Sequence, residues 1–245
     1  MKTKPTTIFC QIISYKLQYP KFLFPGKTQI VTTKEKKSLN VLEKLNSINL
    51  FSWISVAKFI NKKKPDYVIF RYWNPFFAIC LGVIASLIKN KGIKKIAWVD
   101  NVFPHKKIPF QTSLNKFFLK KMDSFLVMSS SVEKDIKTYK LAQPILCSPH
   151  PIYDNFGSLI NQKLARKKLN LDLKIKYILF FGFIREYKGL NLIIDALSDN
   201  RLKQKNIKLI IAGEFYENKN KYLKKIDELN LKDSISIFDY YIDNK

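Results

Sequence analysis

The residues best suited to chemistry lie in the segment F-F-G-F-I-R-E-Y-K-G, between a β-rich run and an apolar helical run. Gly182 allows a close turn after the strand, and Arg185 and Lys188 follow it at intervals of three residues. Because a helix N-terminus carries partial positive charge and free N–H groups, this position favours an anion. Arg185 can hold phosphate oxygens in a forked contact. The segment predicts a diphosphate site; the alternative is a solvated turn in which Arg185 pairs with Glu186 or Asp195.

Polar residues also follow other β-rich runs of the sequence. Ligands of open α/β sheets bind beyond the carboxyl ends of the strands, so we expect these residues near a ligand. They are Arg71, Tyr72 and Asn74 at and after the run 65–73, Asp100 near the end of the run 94–101, and Gly213 and Glu214 after the run that starts at residue 207. For Tyr72, packing at the strand end is the alternative.

The elements that must position these residues alternate between strand-like and helix-like patterns from about residue 65 onward. Short, continuous apolar strands separated by helices are typical of a parallel sheet covered on both faces. The predicted strands are 65–73, 94–101, 124–129, 144–151, 177–182, 207–213 and 234–238, and the predicted helices are 75–90, 114–122, 129–139, 162–171, one from residue 188 and one across 218–230.

The prolines at positions 149 and 151 predict a domain boundary. We expect a Rossmann-like N-terminal domain over 1–150, a linker and basic helix over 151–175, and a second Rossmann-like domain over 176–245. The second series has about three strands, whereas a doubly wound domain normally has about five or six. The fold class predicted is therefore α/β with two parallel-sheet domains, the second of them incomplete.

Several segments resemble glycosyltransferases of family 4, and the N-terminal ones resemble bacterial members. The resemblance is carried by the G-F-I-R-E-Y-K-G turn with its apolar helix, by L-I-I-A-G-E, and by four N-terminal segments: Y-P-K-F-L-F-P-G-K-T-Q, R-Y-W-N-P-F-F-A, D-N-V-F-P-H and P-H-P-I-Y-D-N-F-G. Proteins of this family have the GT-B architecture, in which two Rossmann-like domains face each other across a cleft. In the more common pattern an arginine directly follows the glycine, where this sequence has Phe183.

The resemblance implies a role for each candidate residue. Gly182, Arg185 and Lys188 would bind the diphosphate of a nucleotide-sugar donor, and Gly213 and Glu214 would lie on its nucleotide side. Arg71, Tyr72 and Asn74 would lie on the acceptor side, with Asp100 and His105 as catalytic residues; for His105, ordering its own loop is the alternative. The resemblance further implies retention of anomeric configuration, no cofactor and no metal, and the sequence contains no D-x-D. The acidic E-x7-E segment of the family would lie beyond the last residue of this sequence, so we expect truncation at the C-terminus. The glycine-rich loop of the first βα unit is not visible before Ile8.

The charge of the chain limits its partners. Residues 1–150 contain 26 Lys and Arg against 7 Asp and Glu, whereas 151–245 contain 18 against 12, within a total of +25. Such an excess favours an anionic membrane surface or phosphorylated ligands, although lysines that are merely solvated would give the same total. No nucleic-acid-reading module is recognisable, so we expect no nucleic-acid partner. The longest apolar run has about 14 residues, too few to span a bilayer, and three widely spaced cysteines indicate reduced thiols. We expect a cytoplasmic chain, peripheral on the inner face of the plasma membrane.

Two functions remain open at this point. The first is transfer of a sugar from a nucleotide-diphosphate sugar to a glycan or lipid-linked acceptor. The second is an inactive fragment or binding protein that keeps the same fold. Neither the sugar nor the acceptor can be read from the residues.

Overall fold

The computed structural model describes residues 8–24, 40–104, 109–153 and 157–242. Contacts within the chain divide it into two compact units. Unit 1 consists of Met1–Tyr19 and Thr32–Ile152, and unit 2 of Pro20–Val31 and Tyr153–Lys245. The predicted assignment of an acceptor-side and a donor-side domain stays a prediction.

Unit 1 is built around a four-stranded parallel sheet with the strands in chain order. Its strands are rich in Val, Ile, Phe and Tyr, which suit the pleated, buried surface of a sheet. Parallel neighbours need a crossover, and helices supply these connections. The elements are β3 (Tyr67–Tyr72), α2 (Ala78–Leu87), β4 (Lys94–Val99), α3 (Gln111–Leu119), β5 (Ser124–Val127), α4 (Ser130–Lys137) and β6 (Ile145–Cys147).

Two strands and an α-helix in the described residues precede this sheet and were not expected from the sequence. β1 (Ile12–Leu17) and β2 (Val41–Asn46) form a separate two-stranded parallel sheet. Helix α1 (Leu50–Lys63) follows, and the Asn49 side chain caps it by accepting hydrogen bonds from the backbone N–H groups of Phe51 and Ser52. Strands and helices are therefore present before residue 65, where the sequence pattern predicted them to begin.

One face of the four-stranded sheet carries the core of unit 1. Phe70 and Tyr72 from β3 alternate with exposed neighbours, as the two-residue period of a strand requires. These rings pack on Phe118 of α3, and the Tyr72 and Phe118 rings stack with centroids 4.4 Å apart. This packing fixes the carboxyl ends of β3 and β4, where the candidate residues of unit 1 lie.

Unit 2 has its own core around a three-stranded parallel sheet in chain order. Ile194 and Leu209 are among its fully buried side chains. The elements are α5 (Gln162–Lys168), β7 (Lys176–Phe181), α6 (Leu190–Ser198), α7 (Asn200–Lys203), β8 (Ile207–Ala212), α8 (Asn220–Glu228) and β9 (Ile235–Phe238).

The predicted α/β class with parallel sheets is confirmed, since every strand pair in the described residues is parallel. Several predicted boundaries in unit 2 shift by a few residues, and the one at the basic turn matters for the site. The helix expected from Lys188 begins at Leu190, after a single 3-10 turn at Glu186–Lys188 and after Gly189, which has a φ of +77°. The left-handed backbone at Gly189 separates the basic turn from the helix proper.

Candidate functional site

Two glycines bring the carboxyl ends of β7 and β8 into close approach. Gly182 follows β7 with a φ of +98°, and Gly213 follows β8 with a φ of +140°. A Cβ atom on Gly213 would lie 2.2 Å from the carbonyl oxygen of Gly182. Only glycine fits this crossing without moving the backbone. Gly182 and Gly213, which were predicted to line the site, are therefore adjacent in space because the two backbones pack directly against each other.

Lys188 and Arg185 share the turn that follows Gly182. A Cβ atom on Gly182 would lie 3.6 Å from the Nζ atom of Lys188, so the ammonium group sits over the glycine. Partial desolvation lowers the pKa of Lys188 below its ordinary value, and the neighbouring charge of Arg185 lowers it further. Both effects disfavour the protonated form, and a bound anion would offset them.

Neither cation of this turn is neutralised by a carboxylate in the part of the chain that the structure describes. The alternative considered from the sequence paired Arg185 with Glu186 or Asp195. Asp195 instead binds Lys225, with Nζ and Oδ2 2.6 Å apart. Glu186 is directed towards Lys221, at 4.0 Å. The turn thus presents two positive charges just ahead of the N-terminus of α6.

An aromatic group beside this turn was missed in the sequence. The Tyr216 ring packs against Phe183 at 4.3 Å between centroids and against Phe24 at 5.7 Å. The guanidinium carbon of Arg185 lies 5.0 Å from the Tyr216 ring centroid, within the range of a cation–π contact. Burial raises the pKa of Tyr216, Glu214 raises it as well, and Arg185 lowers it. The contact holds Arg185 at the turn, and the signal for it was the pair F-Y directly after Gly213-Glu214.

Glu214 is only 2% exposed, and its backbone carbonyl accepts a hydrogen bond from Ile184 at 2.9 Å. Its carboxylate is close enough to Tyr216 to raise the pKa of that hydroxyl. The structure therefore places Glu214 beneath the aromatic group. A role for Gly213 and Glu214 on the nucleotide side stays a prediction.

In unit 1, the ends of β3 and β4 bring Arg71 and Asp100 together. Their side chains form an ion pair with Nη2 and Oδ2 2.7 Å apart. Arg71 also lies over the Trp98 ring, 4.2 Å from its centroid, because these two residues are register partners in the sheet. The buried Nε1 of Trp98 has no hydrogen-bond partner among the described residues. Trp98, which was not expected at this site, orients the arginine and carries a donor that is not used.

The structure corrects the expectation for Tyr72. Its side chain is fully buried, and its hydroxyl donates to Oδ1 of Asn115 at 2.5 Å. The Asn115 amide in turn donates to the Val102 carbonyl and to the Tyr139 hydroxyl, both at 2.9 Å. Burial raises the pKa of Tyr72 well above its ordinary value. Tyr72 is part of a buried polar network, and in this conformation its side chain is not accessible to an acceptor substrate.

Of the two remaining candidates in unit 1, the structure describes Asn74 but not His105. The Asn74 side chain caps the 3-10 turn Pro75–Phe77 by accepting from the Phe76 N–H at 3.0 Å. This capping contact does not test its predicted acceptor role. His105 lies outside the described residues.

Two kinds of feature are absent from the described residues. No group of three or more His, Cys, Asp or Glu side chains in that part of the chain could hold a metal ion. Among the helices that the structure describes, none combines the length and apolar character needed to cross a bilayer.

Comparison with known proteins identifies the C-terminal part of the chain and its fold. Residues 161–243 match the family model described as glycosyl transferases group 1. No curated protein matches the sequence at a significant level.

Solved structures resemble the chain in fold at low sequence identity. WaaG, a glycosyltransferase involved in lipopolysaccharide biosynthesis, matches with a TM-score of 0.57 and 14% identity over 83% of this chain and 58% of its own. The structure described as trehalose-6-phosphate from E. coli bound with UDP-2-fluoro glucose matches with a TM-score of 0.52 and 12% identity. The match covers 79% of this chain and 53% of the other. The catalytic domain of starch synthase IV from Arabidopsis thaliana, bound to ADP and acarbose, matches with a TM-score of 0.50 and 10% identity. The match covers 79% of this chain and 52% of the other.

The chain spans a little over half of the length of these solved proteins. Its two separate matches agree with each other: one covers the segment that contains the basic turn, and the other covers both parallel-sheet units. Residues 161–243 correspond to a glycosyl transferases group 1 domain, and the chain has the parallel α/β fold of GT-B glycosyltransferases.

Proposed function

We propose that this chain belongs to glycosyltransferase family 4 and transfers a sugar from a nucleotide-diphosphate sugar to a glycan or lipid-linked acceptor. The observation that carries the proposal is the turn after Gly182, where Arg185 and Lys188 lie together without a neutralising carboxylate in the described residues. A diphosphate supplies the missing negative charge. The matched family model supports the reaction class, and the structural relatives include proteins bound to UDP-2-fluoro glucose and to ADP.

In the proposed complex, each group of the turn has a distinct task. Arg185 binds phosphate oxygens through its planar fork, and Lys188 supplies a mobile point charge. The free N–H groups at the start of α6 add a favourable field for the same anion. Positive side chains then stabilise the diphosphate leaving group, a task for which no metal is needed in this proposal. Retention of configuration and a hexosyl donor belong to the proposal as well.

The test is binding of a panel of UDP-, GDP- and ADP-sugars by the full chain. A charged hydrogen bond contributes about 1.5–3 kcal/mol, so the variant R185A/K188A should bind its nucleotide sugar about 100-fold more weakly. The control is K203A/K205A, which removes the same charge from exposed positions of unit 2. Equal affinities for the wild type and R185A/K188A would remove the assignment.

A second candidate is a protein that binds nucleotide sugars without transferring them. The observation in its favour is the ion pair of Asp100 with Arg71 at 2.7 Å, because this contact ties the carboxylate to a neighbouring side chain and not to a substrate. The discriminating experiment offers saturating nucleotide sugar and a panel of acceptors, and measures both binding and release of nucleotide. Tight binding with no release by the wild type selects the second candidate, whereas turnover that falls in D100N selects the first.

We also propose a cytoplasmic location with peripheral attachment to the inner face of the plasma membrane through residues 1–150, where 26 Lys and Arg face 7 Asp and Glu. Each basic residue near an anionic surface contributes about 1 kcal/mol, and salt screens the attraction. Co-sedimentation should therefore require anionic vesicles and decrease as salt is added. Equal binding to neutral vesicles would contradict attachment by charge.

A further inference from the structure

Unit 1 has a second basic site that is independent of the turn after Gly182. A cavity of about 410 Å³ lies between α3 and the end of α4. Three lysines line it together with two threonine hydroxyls: Lys116, Lys120, Lys140, Thr112 and Thr138. The three ammonium groups and the Thr112 hydroxyl can donate hydrogen bonds, whereas the Thr138 hydroxyl already donates to the Asp135 carbonyl at 2.6 Å. No carboxylate lines the cavity. We call it the lysine pocket.

The three lysines combine like charges with an uncommon backbone conformation. Lys116 of α3 and the C-cap residue Lys120 stand four residues apart, where like charges repel each other. Lys140 has a φ of +52°, a backbone conformation that is uncommon for residues other than glycine. None of the three makes an ion pair with a described residue. Strained or repelling groups that persist in a fold are a reason to look for a ligand.

Two acids belong to α4, which ends at the pocket. Glu133 forms an ion pair with Lys137, with the two atoms 2.6 Å apart. Burial raises the pKa of Tyr139, the hydrogen bond from Asn115 lowers it and nearby Asp135 raises it, so one carboxylate lies close to Tyr139. The three lysines of the lining outnumber it, and the pocket keeps an excess of positive charge.

The floor of the pocket is rigid although its lysines are exposed. Tyr139 lines the pocket, is 8% exposed and accepts a hydrogen bond from the Asn115 amide at 2.9 Å. The Phe103 ring stacks on Tyr139 with centroids 6.1 Å apart. Because Asn115 also binds Tyr72 and Val102, the floor is tied to the core of the unit. A ligand would meet a preformed surface and would order only the lysine side chains.

We propose that the lysine pocket binds the phosphate group of an anionic ligand. Three ammonium groups and the Thr112 hydroxyl in the lining of one cavity suit a phosphate, which presents several acceptor oxygens around one centre. The volume leaves room for the group to which the phosphate is attached. This proposal does not depend on sugar transfer, because the pocket lies in unit 1 and the basic turn in unit 2.

The phosphate has two sources, a lipid headgroup or a small phosphorylated molecule. One exposed aromatic residue helps to distinguish them: Phe110 is 83% exposed and precedes the lining residue Thr112 by two positions. Phe110 also has a φ of +58°. An exposed apolar ring next to a basic site suits insertion between lipid headgroups, whereas a small phosphate in water gains nothing from it.

The experiment measures binding by the full chain of sn-glycerol 3-phosphate in solution, of phosphatidylcholine vesicles that contain phosphatidic acid, and of pure phosphatidylcholine vesicles. The pocket variant is K116Q/K120Q/K140N, in which asparagine tolerates the left-handed backbone. The control variant K58Q/K62Q/K91Q removes the same charge from exposed positions elsewhere in unit 1. Circular dichroism shows whether each variant is folded, and the single variant K120Q replaces the triple one if the latter is not.

For one of the two phosphate ligands, we expect the pocket variant to lose at least tenfold more affinity than the control variant, which also removes three charges of unit 1. Loss confined to the vesicles, with the same loss in F110S, identifies a lipid headgroup. Loss for glycerol phosphate that F110S does not share identifies a small molecule. Absence of binding to both phosphate ligands, or equal losses in the pocket and control variants, overturns the proposal.

Discussion

At the scale of the residue, the turn after Gly182 combines two unfavourable features that a ligand can offset. Lys188 is partly desolvated and stands beside the charge of Arg185, and both lower its pKa. A folded-state pKa below the unfolded value means that folding disfavours the protonated lysine. Lys188 therefore reduces stability at neutral pH, and the reduction disappears as the pH rises through the lowered pKa towards 10.5.

The consequence is a trade between stability and binding at one position. K188M should raise the thermal midpoint at pH 7 and should weaken diphosphate binding, because it removes a charge that folding disfavours and the ligand requires. The advantage in midpoint should shrink at alkaline pH, where the wild-type lysine loses its proton. Thermal scans between pH 7 and pH 10.5, with and without UDP, measure both effects. K203M is the control and should change neither; a lower midpoint for K188M, with unchanged UDP binding, would contradict the account.

The strand period explains why one acceptor-side residue was misplaced from the sequence. Arg71 and Tyr72 are consecutive in β3, so their side chains point to opposite faces of the sheet. Only one of them could be exposed, and the structure exposes Arg71. The partner that holds Tyr72 is Asn115, which lies in the middle of the run L-N-K-F-F without any local sign of its role. Contacts between residues 43 positions apart cannot be read from spacing alone.

At the scale of the element, the sequence predicts best the strands that are continuous apolar runs. β3 and β8 lie within the predicted strands, and β7 begins at Lys176, one residue before its predicted start. Each of the three is rich in Val, Ile, Leu or Phe. β2 has the sequence V-L-E-K-L-N and α1 mixes aromatic and β-branched residues, so neither matches one period well. Their pairing with other elements stabilises them, and that pairing leaves only a weak trace in sequence.

The crossing of Gly182 and Gly213 joins two strands, and it predicts a specific loss of stability. G213A places a Cβ atom 2.2 Å from the Gly182 carbonyl oxygen, in addition to its strained φ of +140°. The control G157A has a φ of +78° but open space around the added atom. Backbone strain alone costs about 1–3 kcal/mol, so G213A should destabilise unit 2 by about 2 kcal/mol more than G157A does. Urea unfolding measures the difference, and equal losses would show that the approach of the two strands relaxes freely.

At the scale of the whole molecule, the alternation of short apolar strand-like runs with helix-like runs is enough to predict the α/β class and the parallel sheets. The division of the chain into two units is harder to predict from the sequence, because Pro20–Val31 belongs to unit 2 although it lies within the N-terminal part of the sequence. Phe24 shows the physical reason, since its ring packs on Tyr216 almost 200 residues away. A hydrophobic contact of this range has no periodic signature.

The two separate hydrophobic cores predict that the units respond separately to damage. Leu119 in unit 1 and Leu209 in unit 2 are both fully buried, and replacing a buried leucine by alanine costs about 2–5 kcal/mol. The three tryptophans, Trp53, Trp73 and Trp98, all belong to unit 1, so tryptophan fluorescence reports the unfolding of that unit alone. L119A should lower the urea midpoint measured by fluorescence. L209A should leave that midpoint unchanged and should lower the urea midpoint of a separate transition, that of unit 2, measured by circular dichroism. If L209A lowers the fluorescence midpoint as much as L119A does, the chain unfolds as one cooperative body and the two cores are not independent.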